Sequence, residues 1–314
     1  MSEFVLGLDG GGTKTLLAIA NRVGEVLEVV SGAGINPFDQ PLWLAEFERI
    51  LGLCLFKPDQ LAFSSFGMPG YGESEVVSKA QSDAARAWAG ERCTVQNDVA
   101  LAFAGALAGH PGVLVLAGTG SMTWGKNRSG QESRVGGWGE GFGDEGSAHW
   151  IGLQALQKLS WTLDGRLEDA GFRDCLLEHI GIKDHELIHW FYTLEHPRPS
   201  IAALAKTVDR LAESGNVRAQ NILLEAAQHL CALARATQKK LKLERPTFSF
   251  AGSVFNSQTV RETVKENLEP CGIWLEPRGS PLAGALLDAA RHAGWNTDEI
   301  WLEQINLALG RKQS

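Results

Sequence analysis

The stretch Asp9-Gly10-Gly11-Gly12-Thr13 combines a carboxylate, three glycines and a hydroxyl between two apolar runs. Apolar runs on both sides of glycines predict a hairpin whose tip exposes backbone N–H groups and the Thr13 hydroxyl. Clustered N–H groups bind anions, but a carboxylate beside them repels phosphate unless a cation lies between. The stretch therefore predicts a turn that binds nucleotide phosphates with magnesium near Asp9; an ordinary glycine-rich hairpin is the alternative.

Two better-known phosphate loops do not fit this stretch. A Walker A loop requires Gly-x4-Gly-Lys-Ser/Thr running into a helix, whereas here Thr13 separates Gly12 from Lys14. A dinucleotide-binding fingerprint also requires a helix after its glycines, and the residues after Lys14 are typical of a strand.

A second copy of the pattern lies in Gly118-Thr119-Gly120-Ser121, again between two apolar runs. Thr13 and Thr119 are 106 residues apart, and the same offset carries Asn21 to Asn127. Each Asn precedes an x-x-Gly sequence that favours a hairpin turn. A repeat of this length is too long for a solenoid. It predicts two related domains, each with one phosphate-binding hairpin.

Asp98 is the candidate general base. It follows Asn97 where a short predicted strand, Cys93 to Gln96, gives way to a helix. Ligands collect at the carboxyl ends of strands in open α/β sheets. A carboxylate there can accept a proton from an attacking hydroxyl, as phosphoryl transfer to an alcohol requires. The alternative is that Asp98 caps a helix beginning at Val99.

The segment 136–147 contains six glycines and the adjacent carboxylates Asp144 and Glu145. Such a glycine density is costly in chain entropy, so an ordinary surface loop explains it poorly. Backbone amides close to a polyol, with the two carboxylates accepting its hydroxyl protons, predict a sugar site. The alternative is a flexible loop leading into a helix whose N-terminus favours acidic residues.

Predicted strands alternate with segments of helical spacing along the chain, which indicates an α/β protein. A final amphipathic helix near Asp298 to Leu309 is expected to return to the first domain. We therefore expect an N-terminal domain of residues 1–111 with 297–314, and a C-terminal domain of residues 112–296.

Composition excludes several classes of protein. A formal net charge of −8 argues against a nucleic-acid-binding surface. No apolar run approaches 18 residues, which argues against a membrane span. The five cysteines have no spacing typical of zinc or iron–sulfur sites and do not suggest a disulfide framework. A cytoplasmic enzyme is expected.

Taken in order, these motifs resemble one family. They are Asp9–Thr13, Asn97-Asp98, Gly118–Ser121, Gly136-Gly137-Trp138-Gly139, Gly143-Asp144-Glu145-Gly146-Ser147 and Ala251-Gly252-Ser253. The set is similar to the N-acetylglucosamine kinase branch of the BadF/BadG/BcrA/BcrD ATPase family, within the actin–hexokinase–chaperone ATPase superfamily. The resemblance implies two ribonuclease-H-like domains of the actin-like ATPase type, with ATP and a sugar in an interdomain cleft. It also implies a homodimer; the exclusion of nucleic acid and a membrane as partners rests on the composition given above.

The resemblance also implies roles for individual residues. Asp98 would be the base for the sugar 6-hydroxyl, and Asp9 would hold Mg²⁺ through water. The ATP-binding residues would be Gly10, Gly11, Gly12, Thr13, Lys14, Gly118, Thr119, Gly252 and Ser253. Besides Asp98, the sugar contacts would be Asn36, Ser121, Gly136, Gly137 and Asp144.

One residue departs from the family pattern. Met122 follows Gly-Thr-Gly-Ser, where animal-type N-acetylglucosamine kinases carry an Asn that contacts the sugar. N-acetylglucosamine is the expected substrate, and glucosamine, N-acetylmuramate or another hexose derivative stays open. Two other classes of function also stay open: an ATPase that acts on a protein partner, and a sugar sensor without turnover.

Overall fold

A computed structural model describes residues 3–313, which divide into two compact units. Unit 1 runs to His110 and resumes at Glu276, and unit 2 is Pro111–Leu275. Each unit has a five-stranded sheet with helices, so the α/β fold expected from the sequence is confirmed. In the described part of the chain, no helix is long and apolar enough to cross a membrane.

The elements are numbered in chain order. The strands are β1 (Phe4–Gly10), β2 (Lys14–Asn21), β3 (Val26–Ala33), β4 (Leu61–Met68), β5 (Cys93–Asn97), β6 (Gly112–Ala117), β7 (Ser121–Lys126), β8 (Glu132–Gly136), β9 (Thr247–Ala251) and β10 (Ile273–Trp274). The α-helices are α1 (Trp43–Leu53), α2 (Glu75–Ala89), α3 (Asp98–Ala106), α4 (Ala148–Leu163), α5 (Ala170–Ile180), α6 (Leu187–Tyr192), α7 (Pro197–Ala203), α8 (Ala205–Glu213), α9 (Val217–Lys240), α10 (Gln258–Leu268), α11 (Pro281–His292) and α12 (Glu299–Gln313).

The two sheets have the same topology. Unit 1 has the strand order β3-β2-β1-β4-β5, and unit 2 has the order β8-β7-β6-β9-β10. In each, the first three strands pair antiparallel, and the fourth and fifth run parallel to the first. This repeated order matches the internal repeat in the sequence, because each half supplies its strands in the same succession.

The repeated Asn residues form the same turn in both units. The Asn21 side-chain oxygen accepts the backbone N–H groups two and four residues further on, at 3.1 and 2.9 Å. Asn127 accepts the two corresponding N–H groups at 3.1 and 3.0 Å. An Asn side chain that bonds its own backbone in this way is a strong determinant of a turn. The repeated Asn residues of the sequence therefore form the same hydrogen bonds in both units.

Helix α11 lies in unit 1, whereas the expected boundary after residue 296 placed it in the second domain. Its apolar face, including Leu282 and Leu286, forms one buried cluster with Val5 of β1. The approach is close, because a Cβ added at Gly7 would lie 2.7 Å from the backbone nitrogen of Leu286. A domain boundary placed by position in the sequence misses this packing, because the packing joins residues from opposite ends of the chain.

Helix α9 spans 24 residues and packs along the unit 2 sheet. Its buried residues recur every three or four positions, as Ala219, Ile222, Leu223, Ala226 and Leu230 show. That spacing places them on one face of a helix. The face packs on β6, β7 and β8, so α9 supports the sheet that carries the second glycine turn.

Candidate active site

The first glycine turn is the tip of the β1–β2 hairpin and contains Gly10, Gly11, Gly12, Thr13 and Lys14. The Gly11 N–H donates to the Lys14 carbonyl at 3.0 Å, which closes the turn. Gly12, Thr13 and Lys14 are exposed. The hairpin predicted from the sequence is present, and its tip is exposed.

A second turn, after β3, packs against the first. The Ile35 N–H donates to the Gly11 carbonyl at 3.0 Å. Asn36 donates from its side-chain nitrogen to Asp39 Oδ2 at 2.5 Å and accepts the Phe38 N–H at 3.2 Å. The predicted sugar contact Asn36 therefore lies beside the glycine turn, in a loop that Asp39 also supports.

Asp9 and Asp98 form the chemically distinctive part of unit 1. Asp9 is near the end of β1, and Asp98 begins α3 beyond the carboxyl end of β5. Burial, together with a smaller contribution from the nearby Asp98 carboxylate, raises the pKa of Asp9 from 3.8 to about 7. The negative charge of Asp98 disfavours the ionisation of Asp9. A cation bound beside the two carboxylates would therefore stabilise their ionised forms.

The donor set fits magnesium. Mg²⁺ prefers oxygen ligands and is usually held by one or two carboxylates, with water and substrate phosphates completing its shell. Asp9 supplies such a carboxylate next to the exposed glycine turn. Within residues 3–313 there is no group of three or more His, Cys, Asp or Glu side chains that could hold a metal ion. A metal at Asp9 would thus rely on water and phosphate for most of its ligands.

Asn97, rather than Asp98, is the N-cap of α3. Its side-chain oxygen accepts the Val99 N–H at 3.0 Å, and its side-chain nitrogen donates to the Tyr71 carbonyl at 2.9 Å. Asp98 Oδ1 accepts the same Val99 N–H at 3.0 Å. The cap expected at Asp98 is therefore displaced by one residue, because the helix begins at Asp98 itself.

The second glycine turn joins β6 to β7 and is held by the N-terminus of α4. The Gly118 N–H donates to the Gly120 carbonyl at 2.9 Å. The Ala148 N–H donates to the Gly118 carbonyl at 2.8 Å, and the His149 N–H donates to the Thr119 carbonyl at 3.3 Å. The first N–H groups of a helix lack intrahelical partners, so the turn supplies acceptors for two of them.

Gly252 brings the third predicted nucleotide-binding segment to this turn. It follows β9, has a φ of +100°, and is succeeded by a short 3-10 helix, Ser253–Asn256. A Cβ added at Gly252 would collide with the carbonyl of Ala117 and lie 2.9 Å from the nitrogen of Gly118. Gly252 and Gly118 are therefore neighbours within unit 2, as a shared nucleotide site requires.

We expect Gly252→Ala to destabilise the protein by about 2 kcal/mol or more, because the new methyl group meets backbone at an unfavourable φ. Gly165→Ala is the matched control: its φ is +73° and nothing lies within 4 Å of its added Cβ. The control carries only backbone strain, about 1 kcal/mol. Urea unfolding of both variants measures the difference, and equal losses would contradict the close approach at Gly252.

The glycine-rich loop 136–147 is bound to the second turn through two predicted sugar contacts, Ser121 and Asp144. The Ser121 hydroxyl donates to the Glu145 carbonyl at 2.7 Å, and its N–H donates to Asp144 Oδ1 at 3.3 Å. The Gly137 N–H donates to the Ser121 carbonyl at 3.0 Å, and Gly136 pairs with Met122 in the sheet. The structure thus brings all four of these predicted sugar contacts together.

Arg198 is a site residue that sequence reasoning missed. From the start of α7 it donates to Asp144 Oδ2 at 2.9 Å, and its Nε lies 3.0 Å from Glu140 Oε2. The Asp144 side chain is 3% exposed and that of Arg198 is 31% exposed, so the cation offsets a buried charge. Arg198 could not be found from a local motif, because it is 54 residues from Asp144 in the sequence.

The surroundings of this ion pair also include His149, which is buried. Burial lowers the pKa of His149, with Arg198 acting in the same direction and Glu140 and Asp144 opposing it. A neutral imidazole beside the Asp144–Arg198 pair adds no further charge to the loop.

Trp138 and Met122 shape the exposed side of the loop. Trp138 is 68% exposed, so its ring is available to a ligand. The methyl carbon of Met122 lies 2.6 Å from where a Cβ of Gly137 would be, and Arg134 donates to the Gly137 carbonyl. Met122 therefore places an apolar group against Gly137.

Residues 6–289 match the family model described as the BadF/BadG/BcrA/BcrD ATPase family. The chain belongs to the BadF/BadG/BcrA/BcrD ATPase family. The match covers both glycine turns, the Asp9–Asp98 pair and the glycine-rich loop. The membership expected from the motifs is thereby confirmed.

Two curated relatives and one crystal structure show how far this family likeness extends. The chain is 29% identical to a Clostridium acetobutylicum N-acetylmuramic acid/N-acetylglucosamine kinase, over 81% of this chain and 86% of that protein. It is 26% identical to a Dictyostelium discoideum N-acetyl-D-glucosamine kinase, over 77% and 82% respectively. A Chromobacterium violaceum protein proposed to be an N-acetylglucosamine kinase has the same fold, with a TM-score of 0.76, 24% identity, and coverage of 91% of this chain and 99% of that one.

Proposed function

We propose that this protein transfers the γ-phosphoryl group of ATP to the 6-hydroxyl of an amino sugar, with N-acetylglucosamine as the preferred substrate. The observation that carries the proposal is the carboxylate pair Asp9 and Asp98 beside the first glycine turn of a BadF/BadG/BcrA/BcrD family member. Phosphoryl transfer to an alcohol needs a phosphate cradle, a metal-binding carboxylate and a base, and unit 1 carries a candidate for each.

In this proposal Asp98 orients the sugar hydroxyl and accepts its proton as the hydroxyl oxygen bonds to the γ-phosphorus, the bond from that phosphorus to the bridging oxygen breaks, and ADP leaves. Asp9 would hold Mg²⁺ through water, and a bound Mg²⁺ would supply positive charge to offset that of the phosphates. The raised pKa of Asp9 supports this division of roles, since a carboxylate that lacks a cation in its site favours its protonated form. Catalysis then depends on positioning and charge stabilisation.

The nucleotide is bound by backbone groups of the two glycine turns and of the segment after β9. The first turn, Gly10 to Lys14, takes the β- and γ-phosphates with its N–H groups and the Thr13 hydroxyl. Gly118 and Thr119 form the second phosphate loop, and Gly252 with Ser253 borders the adenosine. The close approach of Gly252 to Gly118 supports this grouping.

The sugar is contacted by Asn36, Ser121, Gly136, Gly137 and Asp144. Arg198 holds the Asp144 carboxylate in one orientation, so that its remaining acceptor capacity is aimed at a sugar hydroxyl. The two curated relatives are amino-sugar kinases by name, which supports the substrate class. Because Met122 stands where animal-type N-acetylglucosamine kinases have an Asn, the site has one hydrogen-bonding group fewer. Discrimination among N-acetylated sugars then depends on the other contacts.

The test is ADP release in a coupled assay with ATP, Mg²⁺ and one sugar at a time. The panel is N-acetylglucosamine, glucosamine, N-acetylmannosamine, N-acetylmuramate and glucose. We expect N-acetylglucosamine to stimulate ADP release most strongly, and ³¹P NMR of the product to identify a 6-phosphate. Omitting Mg²⁺ should abolish the stimulation.

Other outcomes of this assay would indicate a different substrate or a different function. Preferential stimulation by glucosamine or N-acetylmuramate would keep the reaction and change the substrate. Slow ADP release that no sugar alters would contradict a sugar kinase, and would favour an ATPase that acts on a protein partner.

A further inference from the structure

Unit 2 contains a cavity of about 880 Å³ that lies away from the glycine turns. Its lining includes Gly112 at the start of β6, whereas Gly118 of the second turn follows the end of that strand. At about 3.3 Å per residue, these two points are roughly 20 Å apart. The cavity is thus separate from the candidate active site, and its volume is in the range of small-molecule sites.

The cavity is lined by more cations than anions. Arg128, Lys240, Lys242 and Arg245 line it, against the single carboxylate of Glu244. Among the described residues, no carboxylate forms an ion pair with Arg128, Lys240 or Lys242. A local excess of unpaired positive charge is notable on a chain of formal net charge −8. It attracts anions to this cavity.

The equivalent turn of unit 1 holds an arginine that packs against an aromatic ring. Arg22, at the position corresponding to Arg128, stacks on Trp295 with its guanidinium 5.6 Å from the ring centroid. Trp301 of α12 also donates to the Asn21 carbonyl at 3.4 Å. Both arginines are exposed, but in the described residues Arg128 has no aromatic ring beneath it, and its turn lines the cavity. The repeat therefore uses one arginine for packing and leaves the other available.

Lys242 adds an independent observation from the backbone. Its φ of 52° lies in the left-handed region, just beyond the end of α9, where helices usually place glycine. A side chain there costs free energy that glycine would avoid. The chain keeps a lysine at this point nonetheless, and its side chain lines the cavity. Lys240, by contrast, is also explained by the helix C-terminus, which favours a cation.

We propose that this cavity is a second binding site, for a small phosphate-bearing anion such as a sugar phosphate. Arg and Lys side chains form strong charge-assisted hydrogen bonds to phosphate oxygens. The lining contains no aromatic side chain on which a base could stack, which disfavours a nucleotide or single-stranded nucleic acid. The net negative charge of the chain likewise favours a small anion over a long polyanion.

The test is titration calorimetry of the full-length protein saturated with a non-hydrolysable ATP analogue. The two probes are glucose 6-phosphate and inorganic phosphate. We expect glucose 6-phosphate to bind the wild type, and Arg128→Glu/Lys242→Glu to weaken that binding about tenfold or more. Lys183→Glu/Lys206→Glu is the matched control, since both lysines are exposed in unit 2 and outside the cavity. The control should bind as the wild type does.

Lys242→Gly provides a second variant that removes one charge while relieving the backbone strain, so it should fold at least as well as the wild type. It too should weaken binding. Equal affinity for both probes assigns recognition to phosphate alone, and tighter binding of glucose 6-phosphate adds the sugar. The proposal is overturned if the wild type binds neither probe, or if the cavity variants bind both probes as tightly as the wild type does.

Discussion

Asp98→Asn is expected to reduce kcat for sugar phosphorylation by about 100-fold or more. That is the range for loss of a positioned general base, because an amide cannot accept the proton of the sugar hydroxyl. The measurement is steady-state ADP release at saturating ATP, Mg²⁺ and the best sugar of the panel. The KM for ATP should change little, since the proposed role of Asp98 concerns the acceptor.

The fold should survive this substitution for a reason that the structure supplies. Asn97 caps α3, and an asparagine at 98 retains an oxygen that can accept the Val99 N–H. Glu48→Gln, on the exposed face of α1, serves as a control for loss of one carboxylate in unit 1. Turnover within a few-fold of wild type in Asp98→Asn would remove Asp98 from the mechanism.

Asp9→Asn is expected to act on activity and stability in opposite directions. Loss of the metal-binding carboxylate should lower kcat/KM for ATP about 100-fold, since charge stabilisation at the phosphates depends on it. The same change should stabilise the metal-free protein at pH 8, because it removes a buried carboxylate that must ionise beside Asp98. A residue that serves only the fold would not combine these two effects.

The sign of the pH dependence follows from the pKa of Asp9. The folded carboxyl holds its proton up to about pH 7, whereas the unfolded carboxyl releases it near 3.8. Protonated Asp9 therefore contributes its whole share to the free energy of unfolding below pH 3.8, the pKa of the unfolded chain. That share is lost as the pH rises through about 7, the pKa in the folded protein. Relative to wild type, Asp9→Asn should gain about 2 kcal/mol between pH 5.5 and pH 8.

Urea unfolding in the presence of EDTA at both pH values measures this difference. Glu48→Gln should show no such trend, since its side chain is exposed. A stability difference between Asp9→Asn and wild type that does not change with pH would mean that Asp9 ionises normally in the fold. Unchanged activity of Asp9→Asn would separately exclude the metal-binding role.

Much of the fold could be predicted from the sequence because its signals are local. The alternation of apolar runs and helical spacing indicated the strands and helices, and the two Asn turns form hydrogen bonds within four residues. The glycine turns were also readable, since each lies directly between the two strands that it joins. Physical effects that act within a few residues leave a pattern in the order of the residues.

The environment of the candidate site required the tertiary structure. The interaction of Asp9 with Asp98, and the burial that raises the Asp9 pKa, depend on strands brought side by side in a sheet. The pairing of Arg198 with Asp144 joins residues 54 positions apart, on α7 and a glycine-rich loop. Such contacts depend on packing, so neither Arg198 nor the pKa shift could be predicted from the spacing of residues.

The same reason explains the position of α11 and the basic cavity. A helix near the C-terminus packs on β1 because their apolar faces complete one core, which overrides its place in the chain. Arg22 and Arg128 occupy equivalent positions in the repeat, but Arg22 lies over Trp295 whereas Arg128 lines the cavity. The order of residues determined the elements and their turns, and long-range packing determined which side chains meet and which charges stay unpaired.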